Sequence, residues 1–257
     1  MKDSNDIVRI LSKFMSDSPL NKVEELNNMI IFDEPLVAIA SADDILFQRL
    51  KETVAVGEHH LTPMEWLPEA KTVISYFLPF SPSVRESNYR NDERPSREWL
   101  YGRIEGENLN NAMKDHLAEK IKEADGKVLI PPKDSRCKTI DNRSSWSERH
   151  IAYIAGLGTF SLSKSIITKK GCAGRFSSII TNLPLVTTEH NYHDLYEYCN
   201  QCGVCIDRCP VQAITREGKK HPPCEDFINK TKVIYSPRYG CGKCQTAVPC
   251  EAGIPVI

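Results

Sequence analysis

Cys199-Asn200-Gln201-Cys202-Gly203-Val204-Cys205-Ile206-Asp207-Arg208-Cys209-Pro210 spaces four thiols as C-x2-C-x2-C-x3-C and closes on proline. This spacing holds cubane iron–sulfur clusters: three close thiolates cap one corner of a [4Fe–4S] cube, and the fourth is turned toward a second cube. The run therefore asks for a partner set, and Cys224, Cys241, Cys244 and Cys250 supply it downstream. Crossover assigns Cys199, Cys202, Cys205 and Cys250 to one cluster, and Cys209, Cys224, Cys241 and Cys244 to the other. Two readings compete, one cluster beside a different centre and four-thiolate zinc, although zinc sites seldom pack three cysteines at x2 spacing before C-P. Disulfides are not expected, because the chain opens without an apolar signal segment and this thiol density suits a reducing cytosol.

Composition narrows the class. The 257 residues are 40% hydrophobic and 26% charged, as in an ordinary globular protein. A net charge of −1 gives no global field toward nucleic acid or anionic lipid. No apolar stretch approaches the ~20 residues that a membrane helix needs. The expectation is a cytoplasmic redox protein without a membrane partner.

Upstream of the cysteines the pattern alternates. Ile7, Ile10, Leu11 and Phe14 share a helical face, Leu36–Ala40 reads as a strand, and Ser41, Asp43 and Asp44 open a helix running to Leu50. Thr72–Leu78 reads as a buried strand, Pro79–Pro95 as a long loop, and Ser96–Ala124 as a helix. Lys127–Ile130 and Phe176–Thr181 read as strands, and Glu148–Ile154 as a helix ending at Gly156-Leu157-Gly158. The fold class expected is α+β: an α/β sheet domain over residues 1–190, with a C-terminal dicluster ferredoxin-like module over residues 191–257 held largely by its metal centres.

Ala155-Gly156-Leu157-Gly158, Lys164, the stretch Arg175–Leu185 and the cysteine run together resemble the epoxyqueuosine reductases and, more distantly, the corrinoid-dependent reductive dehalogenases. The resemblance spreads over about residues 35–257 and is densest from Glu148 onward. It implies a corrinoid-binding domain of nitroreductase-like architecture joined to the dicluster module. Two [4Fe–4S] clusters would pass low-potential electrons to cobalamin or another corrinoid and on to a substrate. The implied electron donor is of ferredoxin or flavodoxin type. The alternative is an electron-transfer protein that reduces the cofactor of a partner, such as a corrinoid protein.

Residue by residue, the resemblance implies Gly156, Leu157, Gly158, Ser161, Ser163 and Lys164 as cofactor-binding. The family's proton-donating aspartate stands six residues before a glutamate matching Glu148. Here Asn142 fills that position and Asp141 lies one residue away, so Asp141 is the candidate acid. The family's Gly-Trp-x-Gly-Lys is replaced by Gly158–Lys164, and the chain ends at Ile257 where epoxyqueuosine reductases continue into a helical-repeat region that helps hold tRNA. On that ground tRNA is not expected as a partner.

The remaining candidates have plainer readings beside the functional ones. Gly156–Gly158 also reads as a helix C-cap turn, and Ser161, Ser163 and Ser165 as one polar strand face. Glu148 reads as one half of an internal ion pair, His59-His60 as an exposed loop pair, and Lys219-Lys220-His221 as a solvated turn. Cys137 and Cys172, left over from the clusters, read as small buried apolar residues, and Cys172, with its cationic neighbours, is the better candidate for a reactive thiol.

Overall fold

A computed structural model describes residues 1–90, 93–190 and 192–256. The chain runs α1 (Ser4–Asp17), β1 (Leu36–Ser41), α2 (Ile45–Arg49), β2 (Thr72–Pro79), α3 (Pro82–Ser87), α4 (Arg97–Glu123) and β3 (Val128–Leu129). Then come the hairpin β4 (Thr139–Ile140) and β5 (Arg143–Ser144), helix α5 (Glu148–Ala155), the pair β6 (Gly158–Phe160) and β7 (Ile166–Thr168), and β8 (Gly174–Thr181). Helices α6 (Val204–Asp207) and α7 (His221–Tyr235) follow. Short turns and two-residue hairpins link the rest.

One antiparallel sheet in the order β1-β2-β8-β3 organises the molecule. All eight residues of β2 are buried, because helices cover both faces of the sheet. Alternation along the strands divides them between two cores. Ile39, Ile74, Tyr76, Leu78 and Ile179 meet α1 and α4 through Ile7, Leu11, Leu109, Met113 and Leu117. On the opposite face Ala38, Ala40, Val73, Phe77 and Ile180 meet α2 and α5 through Phe47, Ile151, Ala152 and Ala155. The expected elements are thus present, as a mixed α/β layer structure.

One expectation is corrected. The stretch Pro79–Pro95 is not all loop: the Ser81 hydroxyl accepts from the Val84 N–H, Pro82 sits at the first turn, and α3 forms. Asn91 and Asp92 in that stretch, and Asn191 at the expected 190/191 boundary, lie outside the described residues. The 15-residue helix α7, which carries Cys224, had no reading in the sequence.

Beyond β8 a third, smaller core forms around sulfur. Leu162, Ile167, Cys172, Cys205, Ile214 and Val248 are buried together, with Cys199, Cys209, Cys244 and Cys250 packed on them. The C-terminal segment docks on the sheet through backbone bonds from Cys172 to the Cys250 carbonyl (2.9 Å) and from Ala173 to the Glu251 carbonyl (3.2 Å). Glu251 is itself buried, takes Arg85 at 2.5 Å and accepts from the Tyr89 hydroxyl at 2.7 Å. The cysteine region is tied to α3 by a desolvated ion pair as well as to the sheet by backbone bonds. Among the described residues, no helix is long and apolar enough to cross a membrane.

Candidate iron–sulfur and cofactor site

The cysteines fall around two cavities. A narrow one is lined by Cys199, Cys202, Cys205 and Cys250, with Leu162, Ile167 and Val248 as its apolar wall. A larger one, about 560 Å³, is lined by Cys209, Cys224, Cys241 and Cys244 on one side and by β8, α4 and α5 on the other. Local backbone explains the narrow set. Gln201 and Gly203 both take left-handed φ, 52° and 86°, so the chain reverses between successive cysteines. The approach to Cys199 is pinned to β6, where Phe160 N–H donates to the Leu195 carbonyl (2.7 Å) and Tyr198 N–H to the Thr159 hydroxyl (2.8 Å).

The donor chemistry suits an electron-poor metal core. Burial, then neighbouring thiolates, pushes Cys205 and Cys241 up to about 12, so as free thiols they would keep their protons. A cationic metal core at each set compensates such a sulfur as a thiolate, which couples metal loading to folding. The Ala213 N–H donates to the Cys209 sulfur at 3.2 Å, a contact of the kind that tunes a cluster's potential. Among the described residues, no three His, Cys, Asp or Glu are placed as the shell of a single ion.

The large cavity carries charge that sequence reasoning missed. Glu148, at the first turn of α5, makes no ion pair among the described residues, contrary to its internal-pair reading. Its carboxylate accepts from the Ser178 hydroxyl at 2.5 Å, and Ser178 in turn accepts from the Trp146 indole N–H at 2.8 Å. The other oxygen, Oε1, is enclosed without a partner. Burial pushes this carboxyl up to about 8, against the smaller opposing pull of Ser178 and Lys114. Only the strand-to-helix packing reveals this, because nothing local distinguishes Glu148 from a surface helix acid.

Lys219, read as part of a solvated turn, lines the large cavity, and His221 opens α7. Burial works against the charge on Lys219, yet the Cys244 and Cys224 sulfurs outweigh it and leave its pKa raised. Arg149 lines the same cavity beside those two sulfurs, with burial as the largest influence lowering its pKa.

The residues assigned through the resemblance separate. Ser161, Ser163 and Ser165 are not a polar strand face: they form the buried turn between β6 and β7 and bond to one another at 2.9 and 3.2 Å. Ser163 lines both cavities, Ser161 the narrow one and Ser165 the large one. Lys164 takes φ 61° in that turn, and its pKa is lowered by burial and then by Arg149 and Lys219. Gly156 caps α5 with φ 98°. Gly158 is required by strand pairing, since a Cβ there would lie 1.9 Å from the Ile167 carbonyl oxygen. Gly156, Leu157, Gly158 and Lys164 line neither cavity.

Asp141 and Asn142, with φ of 47° and 62°, form the tight turn between β4 and β5, and Asp141 is exposed. That tip touches α7, where the Asn142 amide donates to Glu225 at 3.0 Å, but Asp141 lines neither cavity.

The His59-His60 reading changes, while Cys172 is buried as its plainer reading expects. His60 is buried, stacked on Trp146 with ring centroids 6.0 Å apart, and burial pushes it down to about 4. Cys172 is fully buried, 3.8 Å from the Cys250 sulfur, and that contact with burial raises its pKa, which opposes the reactive-thiol reading. Cys137 is half-buried beside the Ser144 and Ser145 hydroxyls.

Comparisons with known proteins meet this geometry. The 4Fe–4S binding domain family matches residues 194–215. An epoxyqueuosine reductase of Bacillus cereus is 25% identical over 209 residues, 77% of this chain and 52% of that protein. The chain thus spans about half the length of that relative. An epoxyqueuosine reductase solved with a tRNA-Tyr epoxyqueuosine-modified stem loop aligns over 97% of this chain and 68% of its own, with a TM-score of 0.56 and 20% identity. A reductive dehalogenase whose structure suggests a mechanism for B12-dependent dehalogenation aligns over 86% of this chain and 30% of its own, with a TM-score of 0.54 and 15% identity. The resemblance read from the motifs therefore stands. The expectation that tRNA is not a partner is corrected, because a protein of this fold holds a tRNA stem loop. Net charge near zero is an average and says nothing against a local basic surface.

The large cavity fits a carboxamide-rimmed group such as a corrinoid. Ser163, Ser165 and Ser177 on its lining carry hydroxyls that suit amides, while Trp99, Phe176 and Phe227 give flat apolar surface.

Proposed function

We propose that this chain is an iron–sulfur oxidoreductase of the epoxyqueuosine-reductase type, holding two [4Fe–4S] clusters and a corrinoid. The observation that carries the proposal is the division of eight cysteines between two cavities, with one set forming a wall of the large cavity. Cys199, Cys202, Cys205 and Cys250 would hold one cluster, and Cys209, Cys224, Cys241 and Cys244 the other. The clusters supply single low-potential electrons, and a corrinoid supplies a cobalt centre that accepts them and acts on the substrate.

The chain's own residues do the rest. Cys202 is the exposed member of its set, so the narrow site faces a donor of ferredoxin or flavodoxin type. Arg149 and Lys219 offset the negative charge of the Cys224 and Cys244 sulfurs. Ser163 and Ser165 orient the bound group at the wall between the cavities. Glu148 keeps a proton on its carboxyl at neutral pH, inside the cavity, where Asp141 does not reach. We place the change from a nitroreductase-like sheet domain to the dicluster module near residue 190, in a cytoplasmic protein.

The exposed position of Asp141 favours a second reading, an electron carrier that reduces the corrinoid of a partner protein. Retention of cobalamin separates the two. Cluster-loaded protein passed anaerobically over a gel-filtration column with cob(II)alamin is expected to carry the corrinoid with it, with a changed cobalt EPR spectrum. Elution of free corrinoid with unchanged cobalt would favour the carrier.

A further inference from the structure

Arg103 and Lys114 on α4 and Arg175 on β8 line the large cavity around one carboxylate, Glu107, which meets Lys114 and Arg175. Lys114, only 5% exposed in its side chain, has Glu107 as its nearest anion at 3.8 Å and no hydrogen bond among the described residues. Arg175 on β8 meets the other Glu107 oxygen at 3.7 Å, donates to the Arg103 backbone carbonyl at 2.5 Å, and keeps its Nε enclosed with no partner. Arg103 lies 4.2 Å over the Tyr239 ring and makes no ion pair among the described residues. All four side chains line the cavity.

Charge does not balance there. Glu148, the other carboxyl on this wall, stays protonated at neutral pH. Arg149 and Lys219 lie against the cysteine sulfurs and are occupied by them. A surplus of two positive charges remains on Arg103, Lys114 and Arg175, in a place where burying an unmatched charge is costly. Arginine guanidiniums match oxyanions with strong charge-assisted hydrogen bonds.

We propose that Arg103, Lys114 and Arg175 form a recognition site for an oxyanion, a phosphate ester or carboxylate carried by the molecule that enters the large cavity. The inference rests on reading that cavity as the place where the clusters deliver their electrons. The oxyanion has two possible sources with the same chemistry: the substrate, or the phosphodiester of a complete corrinoid.

The test is anaerobic calorimetry of cluster-loaded protein with inorganic phosphate at low ionic strength, where surface screening is weak. Arg175→Gln and Arg103→Gln are expected to weaken phosphate binding about tenfold or more, the usual scale of one charge-assisted pair. Arg175→Lys should recover part of the loss. Iron content and cluster absorbance of each variant show that the fold and clusters are intact. Absence of phosphate binding by the intact wild type, or unchanged binding in both Gln variants, would overturn the proposal. Repeating the titration on protein preloaded with cobalamin, or with cobinamide that lacks the phosphodiester, identifies the source. Phosphate excluded by cobalamin alone assigns the site to the cofactor; phosphate binding over both assigns it to the substrate. The electron-delivery reading fails on a different readout, the cobalt spectrum, so the two failures are distinguishable.

Discussion

Replacing Cys209 with alanine is expected to empty the cluster site shared with Cys224, Cys241 and Cys244, while the site of Cys199, Cys202 and Cys205 keeps its iron. Iron should fall from about eight to about four atoms per chain. Cys250→Ala should do the reverse and remove the cluster of the first run, although Cys250 lies 41 residues beyond Cys209 in the sequence. The geometry behind this is the crossover: Cys209 lines the large cavity and Cys250 the narrow one. Both variants should also be less stable, because these sulfurs are packed into the third core and ligation is coupled to folding. EPR of the reduced proteins checks it, since each variant should lose one of two magnetically interacting signals. Loss of the same signal in Cys209→Ala and Cys202→Ala would contradict the crossover.

Glu148→Gln is expected to flatten the pH dependence of stability. With a folded pKa of about 8 against an ordinary 4.5, both states hold the proton below pH 4.5. Between pH 4.5 and 8 the unfolded chain ionises and the folded one does not, so stability falls as pH rises through that window. The full linkage would be about 5 kcal/mol as an upper limit, since part of the side chain stays in reach of solvent. The glutamine variant avoids this loss while keeping a hydrogen bond to Ser178. It should match the wild type at pH 4.5 and exceed it in thermal midpoint at pH 8, measured anaerobically on cluster-loaded protein. A wild-type-to-variant difference that stays constant from pH 4.5 to 8 would mean that the carboxyl ionises normally. The same proton held at Glu148 makes it the group to probe for proton delivery in the cavity.

The sheet and the sulfur chemistry were legible because both are periodic or spaced signals. The unbroken apolar run of β2 and the helical face of α1 report burial directly, and cysteine spacing reports ligand geometry. What the sequence hid depends on long-range packing. Glu148 becomes a half-buried acid with one oxygen enclosed only because Ser178 and Trp146 close over it from β8 and the preceding loop. Arg103, Lys114 and Arg175 converge only when α4 packs on β8. Helix α7 escaped notice because its run His221-Pro222-Pro223-Cys224 looks like a breaker, whereas proline is tolerated in a first helical turn. The helix cap at Gly156 was legible as a C-cap turn beside its cofactor reading, whereas the close strand approach at Gly158 depends on β7 and was not.

Electron delivery from the clusters into the large cavity is tested most directly by stopped-flow mixing of fully reduced, cluster-loaded protein with hydroxocobalamin, following re-oxidation of the cluster absorbance. The expected rate saturates with corrinoid concentration and drops strongly in Cys244→Ala, which removes the cluster at the cavity wall. A rate that rises linearly without saturation, and is the same in Cys244→Ala, would mean that electrons leave by collision at the surface and that the cavity is not where they are used.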